Sequence, residues 1–279
     1  MKETQSGLAA AKEMTAAQNL SLLVLSCDKY RDIWDVFAHY FRINWLDCPF
    51  PVYLLTNEET YRSDGIVSLQ TGADVGWSDS VITALERLES KYILFLMDDA
   101  FLQLPFQTSV VMDALEFIER VGGTCVKLRP LPFPLQGVAG EVSYGRLSAD
   151  TPYRNGLFMS IWNRSRLLTY LKKGESAWQF ETLASSRTEA DNGFYAVRQD
   201  HFKFIHAIIK GRWIRSSYER VLKELPGYAT SRPIMSVGDE WLFEAYFAVR
   251  KAFLTIAGVR VFKLAHRLKW SWLGTRGVG

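Results

Sequence analysis

Gly76 to Leu102 reads GWSDSVITALERLESKYILFLMDDAFL. Val81, Ile82, Leu85 and Leu88 recur at helical spacing, and Tyr92 to Met97 (YILFLM) is an apolar run that suits a buried strand. Ser78 is read as the N-cap of that helix, with Trp77 and Ile82 at the positions of a hydrophobic staple. The strand then stops at two acids, Asp98 and Asp99.

The flanking sequence repeats the pattern. On the N-terminal side, Leu20 to Ser26 is a strand candidate, Ile33, Trp34, Phe37 and Phe41 mark a helix, and Pro51 to Thr56 is a second strand. On the other side, Val110, Val111, Ala114, Leu115 and Ile118 form a helical stripe ahead of a strand over Thr124 to Leu128. Strand–helix alternation with crossovers of this length predicts an α/β fold, a central, mostly parallel sheet flanked by helices.

From Arg129 to Asn155, Pro130, Pro132, Pro134 and Pro152 with Gly137, Gly140 and Gly145 predict one long irregular loop. Leu157 to Trp162 resumes regular structure, and Asn163 caps a helix carrying Leu167, Leu168 and Leu171 that ends near Gly174. His201 to Trp213 reads as one strand running into the basic turn Lys210-Gly211-Arg212. The expected organisation is a leader over 1–19, a catalytic domain over 20–237, and a helical, basic and aromatic C-terminal extension over 238–279.

Composition narrows the function classes. A net charge of +3 is too small for a nucleic-acid footprint. The cysteines, Cys27, Cys48 and Cys125, are odd in number and lack metal-ligand spacing, which fits reduced thiols in the cytoplasm. The first residues lack the apolar core of a signal peptide, and no apolar run is long enough to span a bilayer.

In a parallel sheet, ligands bind outside the carboxyl ends of the strands, where Asp98 and Asp99 stand. Adjacent like charges need a cation or hydrogen-bond donors to offset them. Mg²⁺ and Mn²⁺ take carboxylate oxygens together with substrate phosphates, so the pair suits a nucleotide-diphosphate site; a solvated turn or helix cap is the alternative.

The Gly76–Leu102 stretch resembles the donor half of GT-A glycosyltransferases, in which a capped helix feeds a strand ending in a metal-binding DXD motif. The likeness runs from Leu20 to about Trp213 and is nearest the bacterial enzymes of capsule and O-antigen synthesis. It implies a GT-A-like, Rossmann-like fold, a nucleotide-sugar donor (a UDP-sugar first), Mn²⁺ or Mg²⁺, and a saccharide or lipid-linked acceptor. This sequence has Met97-Asp98-Asp99 in place of a literal DXD. By analogy Asp99 is assigned to the metal, and Asp98 to ribose or a metal-bound water.

Further residues follow from the same resemblance. Ser26, Cys27, Asp28 and Tyr30 are expected at base and ribose, Asn57 and Glu58 at the base edge, and Trp77, Ser78 and Asp79 on the nucleotide's other side. Glu181, or else Glu175, is the expected general base, with Trp178 against an acceptor sugar; Asp191 is a weaker candidate and reads better as a turn residue. His206 is a candidate for the metal or a phosphate, and Lys210 and Arg212 for the diphosphate. His201 is a weaker candidate, and His39 is read as structural.

The C-terminal extension interleaves Lys251, Arg260, Lys263, His266, Arg267, Lys269 and Arg276 with Phe, Leu, Ile, Val and Trp. Such a helix can lie on an anionic membrane, pack on the core, or form an oligomer contact. The expected activity is sugar transfer in the cytoplasm, at the inner face of the plasma membrane if the extension binds lipid. The alternatives are a nucleotidyltransferase, disfavoured because no glycine-rich loop follows the first strand, and a non-catalytic carbohydrate-binding protein.

Overall fold

The structure is a computed structural model that describes residues 19–63 and 65–245. The leader over 1–18 and the basic residues from Lys251 onward, with the membrane or oligomer roles expected of them, lie outside the described residues. The chain divides into two compact units at His206/Ala207.

The first unit holds β1 (Leu20–Leu25), a 3₁₀ turn (Asp28–Ile33), α1 (Trp34–Asn44), β2 (Val52–Thr56), β3 (Arg62–Ser63), β4 (Ile66–Gln70), α2 (Trp77–Arg87), β5 (Tyr92–Met97) and β6 (Ala100–Leu102). It continues with α3 (Thr108–Arg120), β7 (Cys125–Lys127), β8 (Gln136–Val138), β9 (Glu141–Arg146), β10 (Ser160–Asn163), α4 (Arg164–Tyr170), α5 (Ala177–Arg187), β11 (Phe194–Val197) and β12 (Phe204–His206). Ten strands form one sheet in the order β3-β4-β2-β1-β5-β10-β7-β11-β9-β8. β4, β2, β1 and β5 run parallel, β10 runs against both β5 and β7, and β7 and β11 are parallel again. This is the expected α/β architecture, a central sheet flanked by helices.

β1 is central because all six of its residues are buried and it pairs on both sides, with β2 and β5. A strand covered on both faces reads as a continuous apolar run, which LSLLVL is. One face packs α2, α4 and α5 through Val81, Leu85, Phe95, Trp162, Leu167 and Phe180.

Several local expectations give way. α2 starts at Trp77, with Gly76 at the N-cap position and no side-chain cap. Gly76 takes φ 124°, so the helix begins two residues earlier than expected and Ser78 falls inside it. Trp77 packs on Phe180 (ring centroids 5.8 Å apart) instead of forming a staple over a Ser78 cap. The long irregular loop contains the β8–β9 hairpin, which extends the sheet at its edge. That edge strand leaves Val142 89% exposed, so no burial pattern advertised it. β4 was also missed, being half-buried and carrying Ser68 and Gln70.

In the second unit, the expected His201–Trp213 strand breaks up. β12 ends the first unit, and β13 (Ile208–Ile209) and β14 (Arg212–Trp213) form a hairpin ahead of α6 (Arg215–Glu224). Lys210 and Gly211 both adopt positive φ (50° and 73°), the geometry of a two-residue hairpin turn. Trp213, Tyr218 and Tyr228 cluster beneath it. Residues 237–245 are helical. Among the described residues, no helix is long and apolar enough to cross a membrane.

Candidate functional site

A cleft of about 270 Å³ opens at the carboxyl ends of β1, β2 and β5. β1 and the 3₁₀ turn contribute Leu25, Ser26, Cys27 and Tyr30; β2 contributes Leu55 and Asn57; β5 and its turn contribute Met97, Asp98 and Asp99. Asp74, Trp77 and Ser80 close one side, and Leu157, Ala177 and Glu181 the other. Eight residues singled out from the sequence therefore share one cleft: Ser26, Cys27, Tyr30, Asn57, Trp77, Asp98, Asp99 and Glu181.

Asp98 and Asp99 form the two-residue turn between β5, held in the large sheet, and β6, which pairs with β12. Asp98 is 5% exposed. Ser26 Oγ donates to Asp98 Oδ2, and Trp34 Nε1 donates to Ser26 Oγ at 2.7 Å. Asp99 is half-buried. Two adjacent carboxylates at the mouth of a cleft fit Mg²⁺ or Mn²⁺, which need one or two protein carboxylates when substrate phosphates complete the shell. Among the described residues, no three His, Cys, Asp or Glu side chains converge as a self-sufficient metal site.

Glu181 lies on α5, and Ser176 and Gln179 fix the start of that helix with a capping box. Burial pushes the Glu181 carboxyl above its ordinary range, against the pull of Lys127 and a backbone hydrogen bond from Leu157. Ser78 and Asp79 set the segment that leads into α5. Ser78 Oγ accepts from Glu175 N at 3.0 Å, Ser78 N donates to Glu175 O at 3.2 Å, and Asp79 Oδ2 accepts from Gly174 N at 2.8 Å.

Other expected residues are engaged outside the cleft lining. The Asp28 carboxylate accepts the backbone N–H groups of Asn57, Glu58 and Glu59 at 2.8–3.1 Å, binding the end of β1 to the end of β2. In return Asp28 N donates to Asn57 Oδ1 at 3.2 Å, which orients the Asn57 amide. The Glu58 residue is exposed. Glu175 forms a two-pronged ion pair with Arg187, both contacts 2.7 Å. Trp178, 50% exposed, stands at the start of α5 with its ring 6.2 Å from that of Tyr153.

Asp191 accepts from Thr124 Oγ1, Tyr170 OH and Gly193 N, as a turn residue should. His206 and His201 line a separate depression with Arg129, Asp200 and Lys203. In the second unit, Arg212 pairs with Asp239 at 2.6 Å, and Lys210 occupies the hairpin turn.

The sequence did not point to Asp74, Ser80, Leu157 or Ala177 in the cleft, nor to Lys127 behind it. Asp74 holds Lys29 at 2.9 Å from within a stretch read only as turns. Lys127 is 4% exposed at the carboxyl end of β7, and its Nζ donates to Gly156 O at 2.8 Å. A charge closing an apolar strand is the signal that found Asp98, and it was present here too.

No protein-family model matches the sequence, and no curated protein matches it. Among solved structures, Staphylococcus aureus TarS 1–349 in complex with UDP aligns at 12% identity and a TM-score of 0.46, over 74% of this chain and 63% of that one. A mycobacterial protein aligns at 15% identity and 0.45, over 79% of each chain. UDP-glucose pyrophosphorylase complexed with UDP-glucose aligns at 9% identity and 0.40, over 67% of this chain and 91% of that one. The chain thus spans less than two thirds of the first of these, and its function is read from its own cleft.

Proposed function

We propose that the chain is a nucleotide-sugar glycosyltransferase that moves a sugar from a nucleoside-diphosphate donor to a hydroxyl of a saccharide or lipid-linked acceptor. One observation carries the reading. Glu181, whose proton affinity is raised by burial, lines the same cleft as Asp98 and Asp99.

Asp99, with Asp98, would hold Mn²⁺ or Mg²⁺, which would supply positive charge opposite the leaving diphosphate. Ser26 keeps the Asp98 carboxylate in place through its hydroxyl. Tyr30, Cys27 and Asn57 line the part of the cleft assigned to base and ribose, and the engaged Asn57 Oδ1 leaves the amide's donor side for recognition. Glu181 takes the proton from the acceptor hydroxyl as its oxygen bonds to the anomeric carbon and the bond to the diphosphate breaks. A carboxylate working as base in one displacement gives inversion of the anomeric centre. Trp178 offers an exposed ring for an acceptor sugar.

β1 runs into Ser26-Cys27-Asp28-Lys29-Tyr30 without a glycine, which favours sugar transfer over nucleotidyl transfer. A panel of sugar nucleotides screened by thermal shift, with and without Mn²⁺, identifies the donor, since a ligand of the folded state raises the transition with its saturation. With that donor, the wild type releases a nucleoside diphosphate and Asp99→Asn does not. Pyrophosphate as the released product, or full metal-dependent transfer by Asp99→Asn, overturns the proposal.

A further inference from the structure

The peptide group between Gly156 and Leu157 is held from both sides. Its carbonyl accepts from Lys127 Nζ at 2.8 Å, and its N–H is the backbone donor to the Glu181 carboxylate. A Cβ placed on Gly156 would stand 2.9 Å from Lys127 Nζ and 3.3 Å from Glu181 Oε1. Both side chains therefore converge on the space that glycine leaves open. Lys127 projects from β7 and Glu181 from α5, and the Gly156–Leu157 peptide lies between them.

We infer that Lys127 is a positioning residue for Glu181, acting through the Gly156–Leu157 peptide to hold the carboxylate in place. The inference rests on the reading of Glu181 as the general base. A cation on a carbonyl oxygen polarises that peptide and strengthens its N–H as a donor, because linked hydrogen bonds reinforce one another in a low-dielectric interior. Burial raises the Glu181 pKa, and the Lys127 charge opposes that rise. Burial lowers the Lys127 pKa, and the Glu181 carboxylate opposes that lowering in return. The other titratable groups facing Glu181 across the cleft are Asp74, Asp98, Asp99, Cys27 and Tyr30.

The test needs no substrate, so its failure is separable from failure of the transfer assay. The full chain is labelled with ¹³C at glutamate side-chain carboxyls, Glu181 is assigned with Glu181→Gln, and its midpoint is followed by NMR. In Lys127→Met the midpoint rises by about one unit, and in Lys127→Arg it stays near the wild-type value. Should Lys127→Met not fold, the wild type decides alone: the Leu157 amide proton must shift with the same midpoint as the Glu181 carboxyl. Equal Glu181 midpoints in wild type and Lys127→Met, or a Leu157 amide insensitive to that titration, overturn the inference.

Discussion

The Ser26 hydroxyl donates to Asp98 across a separation of 72 residues, tying the end of β1 to the turn after β5. The same oxygen accepts from Trp34 Nε1, so one small side chain satisfies two others. Ser26→Ala removes a partner from each. It should cost about 1–3 kcal/mol, the penalty for leaving part-buried polar groups unpaired, measured by urea denaturation. Sugar-nucleotide affinity should fall as well, because the Asp98 carboxylate loses a hydrogen bond that positions it.

Glu181→Gln should lower kcat by about 10²- to 10⁴-fold while donor binding persists, the loss expected when a general base is removed. In the wild type the acid limb of the rate profile should lie above the ordinary carboxyl value of 4.5, because burial raises the Glu181 pKa. The stability effect has the opposite sign. A raised folded-state pKa favours folding fully below 4.5, and that contribution is lost as pH rises through the raised value. Glu181→Gln should therefore melt at or above the wild-type temperature at pH 8, with the gain shrinking toward pH 4; calorimetry across that range checks it.

The ion pair of Glu175 and Arg187 makes a different prediction. Glu175 is 9% exposed, so Arg187→Met strands a nearly buried charge and should destabilise the fold by about 3 kcal/mol. Glu175→Gln should lower the melting temperature yet leave kcat within a factor of a few. A kcat loss as deep as that of Glu181→Gln would make Glu175 the base.

Asp191 should supply an acid-sensitive contribution. Burial pushes its carboxyl up, but hydrogen bonds from Thr124, Tyr170 and the Gly193 amide, with the Arg166 charge, outweigh it and hold it below 3.8. A depressed folded-state pKa gives stability that is present above 3.8 and lost as pH falls through the lowered value. The gap in melting temperature between wild type and Asp191→Asn should stay constant down to about pH 4 and close below it.

Where burial is two-sided, the sequence was readable: LSLLVL and YILFLM announce strands because every residue but Met97 is buried. The cleft was legible for the same reason, since its acids and polar groups interrupt those runs at their carboxyl ends. Edge elements hid. β4 and the β8–β9 hairpin bury little, and without burial no periodicity is imposed on Ser68, Val142 or Ser143. Partnership also hid. Nothing local distinguishes Asp28, which staples two strand ends, from Asn57, which faces the cleft, because their difference lies in which backbone groups the fold brings near. Lys127 was passed over because the expected strand ran on to Leu128, which placed the lysine inside the strand instead of at its end.

The reversed strand β10 divides the sheet, with Ser26, Asn57, Asp98 and Asp99 placed by strands on one side and Lys127 on the other. Antiparallel pairing to both neighbours makes β10 a seam sewn on each edge. A donor seated among those acids while Glu181 grips its acceptor would lie across that seam like a clasp. Amide hydrogen exchange in Ser160–Asn163 is then a reporter of occupancy, slowing when the cleft fills although no ligand atom need touch the strand.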